Sequence, residues 1–223
     1  MIPIDRESIN YSDELVRKLI HLCSLSIPII YYFIARDTAI LILSILTFVA
    51  LIIDIGRYFF PSFGKFFYKI FGFLLRKHEV DHRKKNLNGA TYVLMSALIC
   101  VIILPKVIFI TAFSILIISD SLAALIGRRY GKRKFLSKSF EGTLTFFISA
   151  SIVVLLTPKV ENEILMQYLI GFIAAFVGAI VENISFGFAD DNLSIPISIG
   201  LTMWLLYIIL LPNTELILAG VPN

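Results

Sequence analysis

Charge is scarce in this chain. Asp, Glu, Lys and Arg make up 16% of its 223 residues and hydrophobic residues 58%, whereas about a quarter of a soluble domain is charged. That shortage excludes the ordinary globular classes and leaves a single polytopic membrane domain over 1–223. Cysteine is nearly absent. Cys23 and Cys100 sit inside apolar runs without metal-ligand spacing and read as small apolar residues. No secretory signal is expected, because the first apolar stretch lacks a small-residue cleavage site and further spans follow it. Low-complexity tracts are missing. So are the phosphate signatures of soluble enzymes: Gly127 and Gly131 precede Lys132 at the wrong spacing for a Walker A loop, and the glycine loop and catalytic motifs of protein kinases do not occur.

What the chain does have is apolar segments near the length a bilayer demands, about 20 residues. The sequence predicts an all-α polytopic membrane fold of about seven spans, over 18–35, 39–60, 88–104, 106–126, 142–157, 164–182 and 193–212. A six-span alternative makes 88–104 or 142–157 re-entrant. All but three of the 20 basic residues fall in the N-terminal arm, the loop after the second span and the loop after the fourth. The exceptions are Arg36, Lys106 and Lys159. This asymmetry predicts a cytoplasmic N-terminus, cytoplasmic basic loops and a C-terminus on the opposite side. In the loop after the second span, Phe63, Phe66, Phe67, Ile70, Phe71, Leu74 and Leu75 recur at helical spacing behind Pro61. They predict an interfacial amphipathic helix over about 62–76, serving topology, anionic lipid or lipid entry.

Asp54, Asp120 and Glu182 lie inside expected spans. A carboxylate in a membrane segment is expensive and is a functional-site hypothesis by default; Asp54 also reads as a partner of Arg57. The last cytoplasmic loop carries Asp190, Asp191 and Asn192 and no basic residue, against the topological bias. Such oxygen donors suit Mg²⁺, which is bound by a few carboxylates together with phosphates. Asp120, Asp191 and Asn192 are therefore the expected metal ligands, and Asp120, Glu182 and Lys138 the expected catalytic groups.

Ser139 is expected to cap the fifth span, leaving free N–H groups beside Lys138, a ready phosphate site. Gly142 would admit close approach to the backbone, and Glu141 complements the helix dipole. Arg128, Gly131 and Lys132 extend this nucleotide-binding set. Near the N-terminus, Ser12 is expected to cap a helix on which Glu14, Lys18 and His21 share a face, bringing Lys18 and His21 to the site. Asn88, before Gly89, opens the third span and is expected to reach it too. Two stripes share one spacing, Asp120, Ala124, Gly127, Gly131 and Gly171, Ala175, Gly178, Glu182, and suit close helix contact. His78, Glu79 and His82 spell H-E-x-x-H, a zinc spacing, but stand in a solvated charge cluster without a third ligand and read as plain loop.

Together, ELVRKLIH at 14–21, NGATY at 88–92, DSLAALIGRRYGKRKF at 120–135, KSFEGT at 138–143 and VEN with DDNLSIPI within 181–197 resemble the CTP-dependent lipid kinases. That family contains dolichol kinase, phytol kinase and the CTP-using diacylglycerol kinase, and is distantly related to phosphatidate cytidylyltransferases. The resemblance implies CTP as phosphoryl donor, Mg²⁺, and a lipid alcohol as acceptor: a polyprenol such as dolichol, a phytol-like prenol or diacylglycerol. The implied partners are the nucleotide triphosphate, that lipid and the bilayer, with no nucleic acid. The cytidylyltransferases end in a KD…HGG…DR signature, where this chain has Asp191, Asn192 and then Ile195-Pro196. The departure favours the kinase branch and keeps a phosphatidate cytidylyltransferase as the alternative. A secondary transporter using Asp120 and Glu182 as relays, and a zinc protease, stand behind it.

Overall fold

A computed structural model describes residues 11–72, 87–160, 163–185 and 190–222. The first helical stretch is bent. α1 (Tyr11–Cys23) gives way to α2 (Ser26–Phe33) through a tightened turn, in which Ser24, Leu25 and Ile27 each donate to the carbonyl three residues back. Pro28 explains the bend: it has no N–H for the Ser24 carbonyl, so the regular ladder cannot run through. α1 begins at Tyr11, so Ser12 stands in its first turn and not at the cap expected of it.

α3 (Arg36–Phe59) is followed by extended Phe60 and then α4 (Pro61–Phe71). A residue before proline is pushed out of the helical region, and proline fits the first helical position. α4 buries Gly64 and Phe67 and exposes Phe66, Ile70 and Phe71. It is the described part of the helix expected over 62–76; the remainder, with His78, Glu79 and His82, lies outside the described residues.

The bundle is completed by α5 (Gly89–Ile103), α6 (Lys106–Tyr130), α7 (Phe140–Leu156), α8 (Ile164–Ile184) and α9 (Asp191–Leu210). Among the described residues, five stretches are long and apolar enough to cross a membrane: Tyr11–Phe33, Arg36–Phe59, Lys106–Tyr130, Ile164–Ile184 and Asp191–Leu210. α5 and α7 are apolar but shorter, at 15 and 17 residues. The architecture is that of a helical, multi-pass membrane protein. Among the described residues, the one departure from an all-α expectation is a hairpin between α6 and α7, β1 (Lys134–Phe135) and β2 (Lys138–Ser139), paired antiparallel with Lys134 opposite Ser139. Two-residue strands leave no period for a sequence reading to find.

α6 is the central post. Within its apolar window 83% of residues are buried, against 17% for Tyr11–Phe33 and 22% for Arg36–Phe59. It packs against α7, α9, α1 and α2. The outer helices instead present Phe33, Phe48, Leu156 and Leu165 outward, the apolar surface a bilayer accepts. Small residues set the close contacts: a Cβ at Gly171 would collide with the Val154 side chain, and one at Gly178 would stand 2.6 Å from Ile199.

Candidate active site

The polar residues of the bundle gather where α1, α6, α8 and α9 end or begin. Glu14 and Lys18 are buried on α1. The Lys18 ammonium donates to Oδ2 of Asp120, both side chains being almost fully enclosed. His21, one turn further, holds Nε2 3.9 Å from the same oxygen, and that nitrogen is buried and has no hydrogen-bond partner among the described residues. Glu14 receives a two-pronged bond from Arg17 at 3.0 and 2.6 Å and lies 4.0 Å from Arg128. The face that spacing assigns to Glu14, Lys18 and His21 thus meets the end of α6, and Arg128 reaches it from one helical turn beyond Ala124.

A second ion pair forms between the hairpin and α8. Lys138 Nζ donates to Glu182 Oε1 at 2.5 Å, while Glu182 Oε2 is buried and has no hydrogen-bond partner among the described residues. Burial opposes the charge on Lys138, but Glu182, Asp191 and Asp120 more than offset this and raise its pKa above the ordinary lysine value. The charge of Asp191 is felt at Asp120, His21 and Glu182 as well. Asp120, Glu182, Lys138, Lys18, His21 and Asp191 are accordingly one electrostatic cluster.

The hairpin is held in place by a residue that sequence reasoning did not single out. Asn183 is fully buried. Its Oδ1 accepts from the backbone N–H of Ser137 at 2.8 Å and of Lys138 at 3.1 Å, and its Nδ2 donates to Thr143 at 2.6 Å. These bonds stabilise a turn in which Leu136 adopts φ 51°, a left-handed conformation that costs a non-glycine residue roughly 1–2 kcal/mol. The signal available in sequence was an amide beside Glu182 inside an otherwise apolar run.

Other expected residues serve the scaffold. Ser139 caps α7, accepting from the Gly142 N–H at 3.1 Å. Glu141 accepts from the backbone N–H groups of Lys132 at 3.0 Å and Arg133 at 3.3 Å, closing the entry to the hairpin. At Gly142 the close approach is made by protein: an added Cβ would meet Ser139 at 3.0 Å, Ala123 at 3.2 Å and Gly127 at 3.3 Å. Gly131, which ends α6, leaves no more room, since its Cβ would fall 2.8 Å from Ser139. Asn88 caps α5 through Thr91 N and gives its Nδ2 to Asp54 at 2.9 Å. Asp54 also accepts from Asn88 N, Thr91 Oγ1 and, at 3.1 Å, lies against Arg57. The structure thus sets Asn88 in a separate node that ties α3 to α5, and Asp54 with it.

In the last loop, Asp190 caps α9 by accepting from Asn192 N at 3.0 Å and Nδ2 at 2.8 Å. Asp191 follows at the helix start, and Asn192 is buried. Pro196, inside α9, lacks the N–H that would bond the Asn192 carbonyl four residues back, so a backbone oxygen is released at the same helix end. Among the described residues no three His, Cys, Asp or Glu side chains converge as a metal cage. A Mg²⁺ carried on a triphosphate needs only one or two carboxylates, and the orphaned Glu182 oxygen, Asp120 and Asp191 supply hard oxygen donors of that kind.

No family model matches the chain, and no solved structure matches it. Among curated proteins it is 30% identical over 198 residues to the uncharacterized protein RP860 of Rickettsia prowazekii, spanning 85% of this chain and 92% of that one. It is 27% identical over 169 residues to CTP-dependent diacylglycerol kinase 1 of Schizosaccharomyces pombe, spanning 70% and 74% of the two chains. To CTP-dependent diacylglycerol kinase 1 of Eremothecium gossypii it is 25% identical over 170 residues, which is 66% of this chain and 52% of that one.

Proposed function

We propose that this chain, which belongs to one family with the Rickettsia protein, is a membrane kinase that moves the γ-phosphoryl group of CTP to the hydroxyl of a lipid alcohol. Similarity to the two fungal kinases supports the lipid kinase reading. The observation that carries it is the buried cluster at one end of the bundle, where two lysines and three acidic residues meet at the edge of an apolar domain. Phosphoryl transfer asks mainly for positioning and charge stabilisation, and those are the parts this cluster offers.

The acceptor oxygen bonds to the γ-phosphorus as the bond from that phosphorus to the bridging oxygen of the β-phosphate breaks, releasing CDP. The hydroxyl proton passes to a carboxylate, for which Glu182 is assigned because its Oε2 is buried and, among the described residues, holds no hydrogen bond. Lys138, held protonated by its acidic neighbours, binds phosphate oxygens, with Lys18, Arg128 and Lys132 as further cations. Asp120 polarises the acceptor hydroxyl and, with Asp191 and Asn192, would hold Mg²⁺. That ion would neutralise charge on the triphosphate. The hydroxyl stays at headgroup depth while the tail remains in lipid, so the site belongs at the cytoplasmic surface that the basic loops mark.

The test is to supply purified protein with γ-labelled CTP, Mg²⁺ and a panel of polyprenols, phytol, diacylglycerol and phosphatidate. Label should enter the lipid while CDP accumulates. Label released in pyrophosphate, together with an unlabelled CDP-lipid, overturns the kinase reading in favour of cytidylyl transfer.

A further inference from the structure

A groove opens between α2 and α6. It is lined by Pro28, Ile29, Tyr32, Phe33, Ile110 and Ser114 and has a volume of about 240 Å³. Its floor is buried Pro28, Ile110 and Ser114, while Ile29 and Phe33 form an exposed rim. The walls belong to the same two helical stretches that meet at Lys18, His21 and Asp120. Pro28 is seven residues beyond His21, and Ser114 six residues before Asp120, so at 1.5 Å per residue the groove begins roughly 10 Å from the ion pair. Across that distance from the groove stands His21 Nε2, buried and, among the described residues, without a hydrogen-bond partner, which is a place for a ligand's hydroxyl. The walls beyond it are apolar apart from the Ser114 and Tyr32 hydroxyls. The groove is smaller than the 300–1,000 Å³ of sites that enclose a drug-sized ligand, and it suits part of one hydrocarbon chain.

We infer that the acceptor lipid lies along this path, its hydroxyl at His21 and Asp120 and the proximal part of one apolar chain in the α2–α6 groove. The inference rests on the kinase reading and names the acceptor half of that site. The bend made by Pro28 then has a use: it turns α2 so that Ile29 and Phe33 rim the groove.

Ile29 and Ile30 are adjacent and equally exposed, at 53% and 52%, yet only Ile29 lines the groove. The unaltered chain, Ile29→Trp and Ile30→Trp are compared on a long-chain acceptor and on a short, water-soluble alcohol with the same head. Ile29→Trp should raise KM for the long-chain acceptor about ten-fold, the effect of losing roughly two buried methylenes. The short acceptor, the KM for CTP and all parameters of Ile30→Trp should stay unchanged. An Ile29→Trp effect equal on both acceptors, or absent, overturns the inference. A second readout does not depend on turnover: a long-chain alcohol with a photoreactive group in its chain should label the segments 28–33 and 110–114. Excess unlabelled alcohol should compete and excess phosphatidylcholine should not. Equal competition by phosphatidylcholine makes the groove ordinary lipid-facing surface and leaves the kinase reading standing, whereas failure of the CTP assay with selective labelling sinks the kinase reading alone.

Discussion

The two ends of the bundle treat their cations differently. At the end formed by α1, the hairpin and the start of α9, Lys18 meets Asp120, Lys138 meets Glu182, and Arg57 meets Asp54. At the other end the cations meet backbone. Arg36 donates to Val101 and Ile102 carbonyls, Lys106 to those of Ile34 and Pro222, and Lys159 to those of Val154 and Thr157. Each of these takes up carbonyls left bare where a helix stops, which favours a cation through hydrogen bonding and the helix dipole. The three exceptions to the charge asymmetry are therefore structural caps. One end keeps charge of both signs, available for exchange with a charged ligand; the other spends its few cations on closing helices.

The largest effect should come from removing a carboxylate at the first end. Asp120→Asn keeps shape and a hydrogen-bond acceptor for Lys18 but loses the charge. CTP-dependent lipid phosphorylation should fall at least about 100-fold, the scale of a positioned acid–base or electrostatic group. The variant should elute and melt as a folded protein in detergent; turnover within a few-fold of the original would remove Asp120 from the chemistry. Lys106→Met probes the other end and should give the reverse pattern. Leaving the part-buried Ile34 carbonyl without its donor costs about 1 kcal/mol, seen as a lower melting temperature, while kcat and KM stay within about two-fold, as expected of a residue outside the transition-state contacts. Equal losses of activity in the two variants would erase the distinction between the ends.

Much of this division was legible beforehand because it is written in period and polarity. Segments over 39–60 and 164–182 anticipate α3 and α8 to within a few residues, since length and hydropathy decide where a span begins. The offsets of Glu14, Lys18 and His21 gave a shared face because α1 is regular over just that stretch. What stayed hidden depends on contacts between distant segments. Asn88 looked like a site residue, yet it turns to Asp54 on another helix. Gly142 looked open to a ligand, yet Gly127 and Ser139 fill the space. Asn183 carries no pattern of its own and gains its role only when the hairpin folds over it. The break before Pro28 was readable in principle, but the groove it shapes requires α6 alongside.

The smallest effect, and the sharpest on the comparison, is a difference in sign between two lysines. Among the described residues, Lys159 donates to two carbonyls and a hydroxyl and stands over the Tyr168 ring. Burial therefore wins and lowers its pKa to about 8 from 10.5. Lys138 has carboxylates, which raise its pKa above 10.5. Between pH 8 and 10.5 the unfolded chain holds the Lys159 proton and the folded chain does not, so this group makes the protein more stable as pH rises through that window. The Lys138 contribution is fully present below its unfolded pKa of 10.5 and is lost only as pH climbs through the higher folded value. Unfolding of detergent-solubilised protein, followed between pH 7 and 10, should show a gain with pH that Lys159→Met lacks. The gap between the original chain and Lys138→Met should stay flat over that range. Parallel curves for the original chain and Lys159→Met would mean that the lysine at the carbonyl end is as well compensated as the one among carboxylates, and the contrast between the two ends would no longer rest on what each lysine faces.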